Sequence, residues 1–136
     1  MQSATQAVVT RIEDRQRVTW DDPARGDVGW FTLISAGLTP TSHLSAGIAE
    51  FAPRGGRLAL HRHAQPEIYY ITEGSGLLTI DGIETAVGAG SAVFIPGNAE
   101  HGIRNAGDTI LRLFYVFPAD RFEDIVYRFT ASASAS

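Results

Sequence analysis

The chain is cut into short pieces. Runs of β-branched and aromatic residues alternate with Gly, Pro, Asn and Asp at short intervals, a rhythm that favours many short strands over helices. Strands are expected at 30–35, 46–52, 58–63, 67–73, 76–80, 84–87, 92–95, 101–105 and 111–117. Asp81-Gly82, between Leu77-Leu78-Thr79-Ile80 and Ile83-Glu84-Thr85, supplies the paired positive φ angles of a type I′ hairpin turn. Asn105-Ala106-Gly107-Asp108 and Gly74-Ser75-Gly76 are further turn candidates. One segment reads as helix: Asp120 stands as an N-cap with Glu123 three residues on, and Phe122, Ile125 and Val126 would form the apolar face of at most two turns. The expectation is an all-β protein, a closed sandwich-barrel or jelly roll, with that short C-terminal helix. An N-terminal arm (1–29) would pack on the barrel (30–118). The helix and an end strand follow (119–130), and then an Ala/Ser tail (131–136) that buries too little to order itself.

At 136 residues the chain is long enough for one core and too short for two domains. It has no cysteine, so disulfides and thiolate metal sites are excluded, and any metal must sit on imidazole and oxygen ligands. A net charge of −4 with interspersed signs and no basic stripe argues against nucleic acid as a partner. No segment reaches membrane-span length, and the charged stretch from Arg11 to Arg17 does not resemble a signal peptide. A cytoplasmic protein is expected. The nearly continuous apolar run around Phe114 and Val116 suggests a strand covered on both faces, and a homodimer through sheet edges is the corresponding expectation.

Three of the four histidines lie in two short segments. Side chains of a strand alternate faces with period two, so His61 and His63 point the same way, and Glu67 and Tyr69 share their parity across a break at Gln65-Pro66. Two imidazoles and a carboxylate converging inside an apolar barrel are costly unless paired or metal-bound. They suit a divalent first-row metal such as Fe, Mn, Ni or Zn. His101, after Pro96-Gly97-Asn98, supplies a fourth ligand. His43 reads as an ordinary half-buried side chain.

These segments resemble the paired motifs of the cupin superfamily. The first runs glycine, five residues, His-x-His, three residues, Glu, six residues, Gly, matched at Gly55, His61, His63, Glu67 and Gly74. The second is matched at Gly90, Pro96, His101 and Asn105, with Asn98 where the pattern has glycine. Asn tolerates the left-handed conformation better than most residues. A cupin barrel from Trp30 to Phe117 is implied.

A narrower resemblance lies in Pro66-Glu67-Ile68-Tyr69, in the stretch from Ile95 to His101, and in Phe117 to Phe122 followed by Val126-Tyr127. These look like the small single-domain cupin lyases that cleave dimethylsulfoniopropionate to dimethyl sulfide and acrylate. The resemblance implies a small carboxylate substrate, metal ligands His61, His63, Glu67 and His101, and Tyr69 as the base that takes the α-proton. Tyr127 would orient substrate at the barrel mouth. Independently of the resemblance, Trp20 and Trp30 are candidates to line that mouth, although aromatic residues in a barrel more often belong to its core. Phe94 would lie on the pocket wall, where a tyrosine is expected. A free tyrosine titrates near ~10, and a neighbouring cation would lower that value. On spacing alone Tyr69 serves equally well as barrel filling. Arg54 and Arg57 are candidates to neutralise an anion near the entrance, whereas the parity of Arg62 puts it on the solvent face. Two further readings stay open: an iron-dependent dioxygenase of a small organic substrate, and a non-catalytic small-molecule-binding barrel.

Overall fold

The computed structural model describes residues 5–130, which form two facing antiparallel sheets. One sheet has six strands in the order β1 (Val18–Thr19), β2 (Gly29–Ile34), β3 (Ser45–Phe51), β10 (Leu111–Phe117), β5 (Glu67–Glu73) and β8 (Ala92–Ile95). The other has five: β11 (Arg128–Phe129), β4 (Arg57–Arg62), β9 (His101–Arg104), β6 (Ser75–Ile80) and β7 (Ile83–Gly88). The expected strands are present within a residue or two of their predicted ends. The two-residue strands β1 and β11 are additions, too short to carry a periodic signal. The expected jelly-roll architecture is therefore present. The Ala/Ser tail lies outside the described residues.

Turn chemistry works as the sequence predicts. Asp81 and Gly82 take φ of 48° and 83°, and Ile80 pairs directly with Ile83 across the type I′ turn. Asn98 takes φ of 64° in the place of glycine. The side chain of Asn105 is fully buried and fully used. Its Nδ2 donates to the Phe51 and Thr109 carbonyls (3.1 and 2.8 Å), and its Oδ1 accepts from Gly107 N–H at 3.0 Å. A buried polar group tied at both ends holds the β9–β10 turn against β3.

The core lies between the sheets. β10 alternates strictly, with Leu111, Leu113, Tyr115 and Phe117 inward, and they meet Ile71, Ile95, Leu78 and Ile103 from neighbouring and facing strands. Each such aliphatic side chain, fully buried, contributes roughly 1.5–3 kcal/mol. β10 is a central strand, so its apolar run reflects a covered inner face and a half-covered outer one rather than an edge.

The C-terminal helix does not form. Only a single 3-10 turn, Phe122–Asp124, is present, with Arg121 and not Asp120 at its N-cap position. Asp120 is recruited elsewhere: its Oδ1 accepts from His43 N–H at 2.6 Å and its carbonyl from Ala36 N–H at 2.7 Å. Ser35 Oγ takes the Phe122 N–H at 3.0 Å instead. Tertiary hydrogen bonds to the 35–43 loop thus outcompete the local capping box. Phe122 and Ile125 still pack on the core, but Val126 is exposed. The chain then runs along β4, pairing Phe129 with His61.

Candidate metal centre and cavity

Three histidines meet at one end of the barrel. His61 is on β4, His63 follows that strand, and His101 opens β9, where it pairs with His61. One ring nitrogen from each lies within 4.8 Å of the others, and all three side chains are buried. Their second nitrogens are already engaged. His61 Nδ1 faces the Ala59 carbonyl at 2.8 Å, His63 Nδ1 the Gln65 carbonyl at 2.9 Å, and His101 Nδ1 the Ala99 carbonyl at 2.9 Å. A carbonyl only accepts, so each Nδ1 carries the proton and each Nε2 presents a lone pair when the ring is neutral. This outer hydrogen-bonding shell is the kind that orients imidazole ligands toward an ion.

Glu67, the first residue of β5, brings its Oε1 to 3.2 Å from His63 Nε2 and 3.4 Å from His101 Nε2. Lone pair facing carboxylate at that distance needs a proton or a metal ion between them. His61 Nε2 and His101 Nε2 are buried without a hydrogen-bond partner. Buried polar atoms left in that state are costly unless something absent from the protein atoms takes them up. The donor set fits a divalent cation by geometry and by chemistry. Burial, then the neighbouring His101, push His61 down to about 3, against the raising effect of its bond to Ala59. A neutral ligand is thus available throughout the physiological range.

Tyr69 lies two residues beyond Glu67 on the same inward face and is 3% exposed. Its ring centroid is 6.4 Å from that of His101, and β10 sets Tyr115 directly across from it. Burial, then Glu67, push its phenol well above the usual range. The protein alone therefore holds Tyr69 protonated, the opposite of what a base needs. A cation bound beside Glu67 would act against both causes.

Tyr127 stacks into the same cluster, 5.0 Å from the His61 ring and 5.3 Å from the His63 ring. Its phenol is also held well above the ordinary value, by burial and then by Glu67. Trp30 and Tyr127 both line a small cavity of about 30 Å³ that also has Glu67 and Tyr69 in its wall. Beyond it opens a basin of about 440 Å³ with Arg25 and Glu123 on its rim.

Phe94 is not there. It is 65% exposed and pairs with the outward-facing Ile68, because its neighbours Val93 and Ile95 pair with the inward Tyr69 and Glu67. Strand alternation alone puts it on the outer surface. Arg54 and Arg57 also stay outside the cavity, engaged by Asp108 and by Asp27 with Pro23. Arg62 reaches the Asn98 carbonyl on the exterior, as its parity predicts. The residues missed from sequence are Tyr115, Phe122 and Arg25. The parity of Tyr115 with Leu113 and Phe117 was the available signal; the other two arrive on irregular segments that carry none.

Comparison with known proteins agrees with this architecture. Residues 47–117 match the family model described as a cupin domain. The chain is 50% identical over 112 residues to dimethylsulfoniopropionate lyase DddW of Ruegeria pomeroyi, covering 82% of this chain and 72% of that protein. Among solved structures it is similar to the polyketide cyclase RemF of Streptomyces resistomycificus, with a TM-score of 0.77 at 23% identity over 92% of this chain and 86% of that one. It is also similar to a structure of the DMSP lyases RdDddP and RnDddQII, with a TM-score of 0.69 at 18% identity, covering 85% and 62% of the two chains. The folds of such distant relatives coincide while their chemistry differs, so the architecture alone names no reaction. With matching motifs, matching topology and a relative 50% identical to it, the chain belongs to the cupin-domain family.

Proposed function

We propose that the chain is a metal-dependent lyase that cleaves dimethylsulfoniopropionate to dimethyl sulfide and acrylate by β-elimination. In this reading His61, His63, Glu67 and His101 hold one divalent transition metal and Tyr69 is the base. The observation that carries the proposal is the convergence of three buried imidazole Nε2 atoms and the Glu67 carboxylate, with Tyr69 two residues along the same strand face and both Glu67 and Tyr69 in the wall of one cavity. The 50% identity to DddW supports the substrate.

When bound, the ion supplies positive charge that favours the Tyr69 phenolate and steadies a substrate carboxylate. The phenolate oxygen takes the proton from the carbon next to that carboxylate. The electrons of the broken C–H bond form the carbon–carbon double bond. The bond to sulfur breaks, and neutral dimethyl sulfide leaves with the electron pair. Tyr69 then returns its proton to solvent. Burial of Tyr69 and Glu67 keeps bulk water from quenching the charge as it develops.

Headspace analysis of metal-loaded protein mixed with dimethylsulfoniopropionate tests the reading. Dimethyl sulfide should appear, and Tyr69→Phe should suppress it with metal content unchanged. Undiminished release from that variant, or none from the parent, would sink the assignment.

A homodimer is part of the proposal. Ile68, Tyr70 and Phe94 are 48, 45 and 65% exposed on the outer face of the six-stranded sheet. They continue across Val116, Phe114 and Ile48, and β8 is the edge strand of that sheet among the described residues. A self-complementary apolar face next to an edge strand favours a second copy of the chain. The absence of cysteine supports a reducing, cytoplasmic setting.

A further inference from the structure

Four aromatic rings close on one another at the throat between the cavity and the outer basin. Trp20 comes from the N-terminal arm, Trp30 from β2, Phe122 from the 3-10 turn, and Tyr127 from the segment before β11. Around the circuit the ring centroids are 4.8 Å (Trp20–Trp30), 5.9 Å (Trp30–Phe122), 6.3 Å (Phe122–Tyr127) and 5.2 Å (Tyr127–Trp20) apart. All four line both the inner cavity and the basin. The inner cavity has no arginine in its wall, and its carboxylate is that of Glu67. The cluster already holds a cation on its outer side: the Arg25 guanidinium lies 5.5 Å over the Trp20 ring and 5.0 Å over that of Phe129.

We propose that Trp20, Trp30, Phe122 and Tyr127 form a subsite for a methylated onium head, sulfonium or quaternary ammonium, carried on the β-carbon of a short carboxylate. The proposal rests on the lyase reading for the placement of the carboxylate end. A methylated onium has no N–H or O–H to donate and spreads its charge over its methyl groups. Hydrogen-bonding walls therefore gain nothing from it, whereas the negative faces of aromatic rings attract it and its methyls pack against them. Cleavage turns the cation into a neutral sulfide, so the attraction is lost as the bond to sulfur breaks. The subsite thus favours the bound substrate over the transition state and the product. It sets which molecules enter and lets the sulfide go. Its removal should raise KM and leave kcat unchanged or higher, the reverse of removing a base.

Trp20 and Trp30 are the only tryptophans in the chain, so intrinsic fluorescence reports on the subsite directly. Zinc-loaded protein is titrated with 3-(trimethylammonio)propionate and with its uncharged-head isostere 4,4-dimethylpentanoate, with calorimetry alongside. The cationic probe should bind about tenfold more tightly and shift the emission. Trp20→Leu should reduce the preference to about threefold or less, and Trp20→Phe should retain it. Phe122→Leu gives the same reading should the Trp20→Leu protein fail to fold. Equal affinity of the two probes for the parent, or an unchanged preference in both leucine variants, would overturn the proposal. Protein that releases dimethyl sulfide but shows no cation preference keeps the lyase and loses the subsite. Protein with the preference but no dimethyl sulfide release keeps the subsite and loses the lyase.

Discussion

Tyr69 and Tyr70 are neighbours on one strand and live in different solvents. Tyr69 is 3% exposed, faces Tyr115 and Glu67, and has its phenol pushed well above the usual range. Tyr70 is 45% exposed and pairs with Phe114 and Ala92 on the outer surface. Nothing in the residue type separates them. The pleat does, by sending alternate side chains to opposite faces. Around Tyr69 the inner face carries Glu67 and three buried histidines, polar groups that must be satisfied in a dry environment. The outer face concentrates apolar groups left half wet. The proposed ion and substrate would satisfy the inner polar groups, and the proposed second copy would cover the outer apolar ones.

The sharpest break of this comparison is a matched pair of substitutions. Tyr69→Phe should lower kcat by roughly 10²–10⁴ with metal content unchanged, whereas Tyr70→Phe should stay within about twofold of the parent. Initial rates of dimethyl sulfide release with parallel elemental analysis decide it. Equal effects would dissolve the distinction between the faces.

A second pair tests packing on β10. Leu113 is 1% exposed and inward, while Phe114 is outward and half-buried. Leu113→Ala should cost about 2–5 kcal/mol in urea unfolding, more than Phe114→Ala despite removing the smaller side chain.

The inner face should also be the acid-sensitive one. With His61 lowered from 6.5 to about 3, the unfolded chain binds a proton in that window that the folded chain refuses. The stability this contributes is complete above 6.5 and is lost as pH falls, by about 1.4 kcal/mol per unit for this one group. Urea midpoints of the metal-free protein at pH 7 and pH 5 should show the slope, and His61→Asn should flatten it.

The smallest effect on the fold is expected outside. Phe94→Asp should change stability of the protomer by no more than about 0.5 kcal/mol, shift the light-scattering mass toward a monomer, and leave turnover intact. A lost activity there would show that the outer face feeds the site.

Much of this was legible in the residues. Strand placement followed from turn chemistry and alternation, both of them local. The motif spacing from Gly55 to Gly74 located His61, His63 and Glu67, and parity placed Tyr69 with them. Parity would also have expelled Phe94 from the pocket, since Ile95 and Val93 bracket it. The failed helix was a different matter: Asp120 satisfies every local rule for a cap, and only the proximity of the 35–43 loop diverts it.

What the sequence by itself determined is the set of strands, the turns and the candidate ligand residues, because each depends on neighbours a few positions away. The union of His61 and His101 in one ladder, the hydrogen bonds that engage three Nδ1 atoms, and the ring of Trp20, Trp30, Phe122 and Tyr127 were decided only by tertiary structure. Those groups are brought together by sheet order and by segments with no period of their own. Their meeting depends on which strands pair across long stretches of chain, and that outcome is set by the burial of the whole core.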